Sequence, residues 1–105
     1  MSLYEEDKIG TRLSDFVAIK ELGKGSYGVV SKVQSLKNGE IYVIKSMDLS
    51  IMKERQQKEA WKEAMILKKL SHPNIIKYYT SFLENDSLHI VMEFAEGGDL
   101  YSVRL

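Results

Sequence analysis

Cysteine is absent from this 105-residue chain. That excludes disulfides and thiolate metal sites, and it fits a reducing, intracellular setting. Charge of either sign is not in excess: 15 Lys and Arg are matched by 15 Asp and Glu, so the formal net charge is zero. Without a basic surplus, non-specific affinity for nucleic acid or for anionic membrane is not expected. No apolar run reaches the ~18 residues that a membrane-spanning helix needs. Met1 to Thr11 is acidic and polar and lacks the apolar core of a secretory signal. Proline occurs once, at Pro73.

What is present is the balance of a folded protein. Hydrophobic residues make up 44% and charged residues 29%, the proportions of one small globular domain. Residues 1–13 read as a tail. From Phe16 to Leu22 a strand pattern sets in, with apolar residues on both faces, as if one face were covered and the other shaped around a ligand. A glycine-rich loop interrupts it, and Val29 to Gln34 returns as a second strand. Asn38-Gly39 predicts a type I′ turn, because both residues tolerate positive φ. Ile41 to Ser46 forms a third, β-branched strand.

Met52 to Leu70 holds neither Gly nor Pro and consists mostly of strong helix formers. Ser50 is the expected N-cap, and Pro73 ends the helix by disfavouring helical geometry at His72. Two more strands follow, Ile75 to Glu84 and Leu88 to Phe94, joined by a turn at Asn85-Asp86-Ser87. Gly97-Gly98 marks a joint, and Asp99 starts a further helix. The order β-β-β-α-β-β with hairpin connections implies an α+β fold: a five-stranded antiparallel sheet beside one long helix.

Three features carry chemistry. In Gly23-Lys24-Gly25-Ser26-Tyr27-Gly28 the glycines let backbone amides approach phosphate oxygens without side-chain clash. The same spacing occurs in dinucleotide-binding folds, but there a helix must start at the loop to hold the pyrophosphate. Here Val29, Val30 and Val33 continue as strand. A Walker loop would require Gly-Lys-Ser/Thr where Gly28-Val29-Val30 stands. Lys45 lies on the same strand face as Val43 and Ile41, and a lysine on that face needs a phosphate or a carboxylate. Glu63 is the candidate carboxylate, since it shares a helical stripe with Ala60, Leu67 and Leu70. Glu54 and Glu59 read as solvated. His72 and His89 show no catalytic partner, and Trp61, Tyr78, Tyr79, Phe82, Met52, Met65 and Met92 read as packing.

Together these motifs resemble the N-terminal lobe of a eukaryotic protein kinase. Gly23 to Val30 is similar to the kinase glycine loop, and Tyr42-Val43-Ile44-Lys45 to the third-strand lysine motif, with Val43 where alanine is usual. Glu63 corresponds to the αC glutamate, reinforced by His72-Pro73-Asn74-Ile75. The run Ile90 to Leu100 resembles the hinge between lobes. The likeness covers residues 14–105, with the lobe at 14–92 and the hinge and the start of the next helix at 93–105. Within the kinases the chain most resembles the NIMA-related serine/threonine kinases.

The resemblance implies ATP as ligand, with Mg2+ held by residues of a second lobe. Leu22, Val30 and Val43 would enclose the adenine, and Met92 would be the gatekeeper. Glu93, Phe94 and Ala95 would offer backbone hydrogen bonds to the base. Lys45 would hold the α- and β-phosphates, oriented by Glu63. Leu67 and Tyr78 would occupy the regulatory spine. It also implies a protein substrate for the complete enzyme and a cytoplasmic place, with centrosome or cilium suggested by the subfamily alone. The catalytic-loop Asp, its Asn and the Asp-Phe-Gly aspartate do not occur in the sequence, so the C-lobe is expected to be absent and the chain inactive alone. Its apolar lower face would favour self-association or domain swapping. Two other readings stand beside this one: a natural, truncated, non-catalytic kinase form acting as an interaction module, and a dinucleotide-dependent oxidoreductase.

Overall fold

The computed structural model describes residues 8–25, 28–69 and 77–94, with 63–69 described by their backbone alone. Five strands form one sheet: β1 (Phe16–Lys24), β2 (Gly28–Ser35), β3 (Ile41–Asp48), β4 (Tyr78–Glu84) and β5 (Ser87–Glu93). The spatial order is β1-β2-β3-β5-β4, and every neighbouring pair is antiparallel. One long helix, α1 (Glu54–Lys69), connects β3 to β4. This is the α+β arrangement that the alternation of strand and helix periods predicts.

Side-chain alternation divides the sheet into two faces. Val43 and Met47 of β3 join Val30 of β2 and Leu88, Ile90 and Met92 of β5 in one buried cluster. Leu49, Met52 and Ala60 cover it from the β3–α1 connection and the helix. Tyr42 and Ile44 point the other way, into a second cluster with Val33, Val91 and Ile9. A buried aliphatic side chain contributes about 1.5–3 kcal/mol relative to exposure, so the two clusters account for most of the cohesion of so small a domain.

Ile9 departs from the sequence expectation. Polar composition marks residues 1–13 as a tail, yet Ile9 is 2% exposed. Its carbonyl accepts a hydrogen bond from the buried Ser35 hydroxyl (2.6 Å). Further along, the Leu13 N–H donates to Glu84 Oε1 (2.9 Å), so the segment spans from β2 to β4. Gly10 permits the entry of Ile9: its φ is 146°, and a Cβ there would collide with the Phe16 ring. Phe16 in turn stacks on Phe82 at 6.4 Å. One isolated isoleucine in a polar run has no periodicity, and only tertiary packing reveals its role.

The type I′ geometry expected at Asn38-Gly39 occurs at another turn. At the β2–β3 connection Gly39 has positive φ (76°), but Asn38 does not. The Asn38 side chain is engaged instead, donating to Tyr42 Oη and accepting from the Glu40 N–H, and the loop closes with Gly39 N–H bonded to Ser35 O. The two successive positive φ values of a type I′ hairpin occur at Asn85 (55°) and Asp86 (61°), between the paired residues Glu84 and Ser87.

Ser50 is not the helix cap. It lies in a 3-10 turn, Leu49–Ile51, where its N–H and its hydroxyl both donate to Asp48 Oδ1 (2.9 and 2.6 Å). The helix starts later, at Glu54. Gln56 Oε1 accepts the Lys53 N–H (2.8 Å), and Gln57 Nε2 donates to the carbonyls of Leu49 and Met52. Gln56 thus makes the reciprocal half of a capping box, its side chain accepting the N–H of the residue that precedes the helix.

Edge strand β1 also differs from expectation. It carries two register shifts, and Val17 (47%) and Ile19 (49%) are exposed. Bulges of this kind bend an edge away from further pairing. Among the described residues no helix is long and apolar enough to cross a membrane.

Candidate nucleotide site

The glycine loop is the β1–β2 hairpin tip. Gly23 pairs with Val30 at the end of β1, Lys24 is exposed, and Gly25 N–H bonds Gly28 O (2.9 Å) across the tip. Ser26 and Tyr27 lie outside the described residues. β2 begins at Gly28 itself, so a strand follows the loop and the helix that a dinucleotide site requires does not.

The three glycines are not equivalent. A Cβ added at Gly23 or Gly25 would meet nothing within 4 Å, which leaves open space over the sheet. A Cβ at Gly28 would collide with the Ser46 carbonyl of β3. The third glycine is therefore required by the approach of two strands, a reason that loop spacing alone does not disclose.

Lys45 stands at the centre of the sheet, paired with Val30 on β2 and with Ile90 on β5. It is half-buried on the face of the first cluster. Two residue pairs along, Lys32, Val43, Met92 and Tyr78 form a row across β2, β3, β5 and β4. Val43 and Met92 are buried; Leu22, Tyr78 and Phe94 pack against the same cluster. The tertiary structure thus gathers Leu22, Val30, Val43, Met92 and Phe94 around one apolar surface, with Lys45 on the same side.

Glu63 belongs to α1, one turn beyond Ala60, which is buried against that surface. The Glu63 side chain lies outside the described ones, as do those of Met65 and Leu67; Leu70, His72 and Ala95 lie outside the described residues altogether. Glu93 ends β5, and its N–H is committed to Lys77 O (2.9 Å), so it does not donate to a ligand. Among the described residues no group of three or more His, Cys, Asp or Glu side chains could hold a metal ion.

Two arrangements escape the sequence pattern. His89 is buried and bonded to Ser46 on the opposite sheet face (2.7 Å). Lys32 sits 4.4 Å above the Phe94 ring. The strand alternation that groups Lys32 with Val30 is the one signal that points to the second.

A family model described as protein kinase domain matches residues 16–104. The chain belongs to the protein kinase family. The kinase Nek1 of Mus musculus is 40% identical over 89 residues, covering 85% of this chain and 7% of that protein. Nek2 of Homo sapiens is 39% identical over 95 residues, 89% of this chain and 21% of that protein. Nek4 of Mus musculus is 44% identical over 84 residues, 79% of this chain and 11% of that protein. This kinase chain thus spans about a fifth or less of the length of these serine/threonine kinases. Its similarity to the Nek, or NIMA-related, kinases agrees with the subfamily resemblance, and the five-stranded sheet with its long helix is the architecture of a kinase N-lobe.

Proposed function

We propose that this chain is the ATP-binding lobe of a serine/threonine protein kinase, and that the complete enzyme transfers the ATP γ-phosphate to Ser or Thr hydroxyls of proteins. The observation that carries the reading is the convergence of Leu22, Val30, Val43 and Met92 on one apolar surface with Lys45 on the same face. A flat, largely apolar purine ring suits such a surface. The open space at Gly23 and Gly25 leaves room for phosphate oxygens beside the loop backbone.

In this reading Lys45 contacts the α- and β-phosphates and Glu63 orients it. The ammonium supplies a fixed positive charge where phosphate charge accumulates, which is most of what a protein contributes to phosphoryl transfer. Met92 closes the inner end of the base pocket, and the backbone from Glu93 to Ala95 borders the base. The 105-residue chain contains none of the groups that activate the acceptor hydroxyl, so it binds nucleotide without transferring phosphate.

The test is binding of a non-hydrolysable ATP analogue to the chain and to Lys45→Met, followed by calorimetry, with a radiometric transfer assay in parallel. Saturable binding that Lys45→Met weakens at least tenfold, with no transfer, is expected. Equal affinity in both proteins, or transfer that Lys45→Met abolishes, would contradict it.

A further inference from the structure

Lys32 and Phe94 are 62 positions apart in sequence, one on β2 and the other just after β5. β3 separates β2 from β5, so their backbones are about 10 Å apart at neighbouring-strand spacing. Nevertheless Lys32 Nζ lies 4.4 Å from the Phe94 ring centroid. The register explains how. Lys32 opposes Val43, and Val43 opposes Met92. The lysine stem crosses β3 on the face of the first cluster and ends over the first residue after β5. Phe94 packs the same cluster from the other side. Both residues are half-buried, so the ammonium keeps part of its hydration while the ring quadrupole attracts it.

We propose that Lys32 and Phe94 form a clasp that holds Phe94, the first residue after β5, against the apolar surface of Val43 and Met92 and so positions its backbone for the base of a purine nucleotide. The proposal rests on the nucleotide-binding reading above. Lys32 is a positioning residue here: it acts through Phe94 and touches neither base nor phosphate. Val43 and Met92 supply the apolar wall, and the backbone of Phe94 supplies the edge that the base must meet. The Glu93 N–H is anchored on Lys77 O, and the clasp restrains the adjacent Phe94. Its effect falls on the base and not on the phosphates, which Lys45 serves two residue pairs away.

That division gives the test. The full chain is titrated by NMR with adenosine, with tripolyphosphate and with a non-hydrolysable ATP analogue. Lys32→Met keeps the stem and removes the charge. It is expected to weaken adenosine and the ATP analogue by the same factor, about threefold for a partly exposed cation–π contact, and to leave tripolyphosphate unchanged. Lys32→Arg restores the wild-type affinity. Lys32→Met combined with Phe94→Leu is no weaker than Phe94→Leu alone, whereas Lys45→Met shows the converse pattern, losing tripolyphosphate and keeping adenosine. Should Lys32→Met not fold, Lys32→Gln takes its place. Unchanged adenosine affinity in Lys32→Met, or additive losses in the double variant, would overturn the clasp and leave nucleotide binding intact. Absence of binding by the wild-type chain to all three ligands would overturn the nucleotide reading, and the role of the clasp with it.

Discussion

Ser46 on β3 and His89 on β5 face each other across a paired position, with Ser46 Oγ 2.7 Å from His89 Nδ1. The other ring nitrogen, Nε2, lies 3.3 Å from the Glu84 carbonyl oxygen. A carbonyl can only accept, so Nε2 carries the proton and Nδ1 accepts from the Ser46 hydroxyl. The ring sits against Phe82 at 5.2 Å, which completes a buried site built for the neutral imidazole.

This arrangement makes stability depend on pH. Burial lowers the His89 pKa below its ordinary value of 6.5, and the Glu84 carbonyl and carboxylate only partly oppose that. The unfolded chain therefore takes up the proton first. The contribution of His89 is fully present above pH 6.5 and is lost as pH falls through the lowered folded value. Urea midpoints measured from pH 7.5 down to 5 are expected to decline, and His89→Gln to flatten that decline. An equal slope in both proteins would show that another group is responsible.

Gly28 and Gly23 should respond oppositely to the same substitution. Gly28→Ala places a methyl group on the Ser46 carbonyl and is expected to lower stability by about 1–3 kcal/mol, the range for overpacked sites. Gly23→Ala adds a methyl group to open space and is expected to leave the unfolding midpoint nearly unchanged while weakening ATP-analogue binding. Thermal unfolding and calorimetric titration of the two variants separate these effects.

The N-terminal strap carries stability as well. Ile9→Ala is expected to cost about 2–4 kcal/mol, the usual loss for a buried aliphatic side chain, because Ile9 fills the second cluster beside Tyr42 and Val91. For a domain whose total stability is about 5–15 kcal/mol, that is a large fraction. Ser35→Ala, which removes the hydroxyl bonded to Ile9 O and to the Lys37 N–H, should show a smaller loss in the same urea titration. A midpoint for Ile9→Ala within error of wild type would mean that the strap packs without contributing.

Glu63→Gln offers a test of the helix carboxylate that needs no turnover. If Glu63 orients Lys45, its neutral analogue should weaken ATP-analogue binding, and Lys45→Met should make the second substitution silent. A double-mutant cycle by calorimetry measures the coupling, for which about 1.5–3 kcal/mol is usual where one partner of a hydrogen bond is charged. Additive losses would separate the two residues.

Local chemistry was enough to read the strands and the helix of this chain. Alternating β-branched residues mark β2 and β3, and the run from Met52 without Gly or Pro marks α1 to within two residues. The valines after Gly28 likewise decide between strand and helix. These are properties of neighbours in sequence, where side-chain period and backbone sterics act over a few residues. Long-range contact decided the rest. Ile9 becomes core only because Ser35 and Gly10 bring it against Tyr42. Gly28 must be glycine only because Ser46 lies beside it. Asn85-Asp86, and not Asn38-Gly39, takes the double left-handed turn because β4 and β5 pair directly up to it, whereas the Asn38 side chain is drawn to Tyr42. Lys32 reaches Phe94 only because β3 lies between β2 and β5. Each depends on which strands become neighbours, and that is settled by burying two apolar faces at once, a condition that no short window of sequence contains.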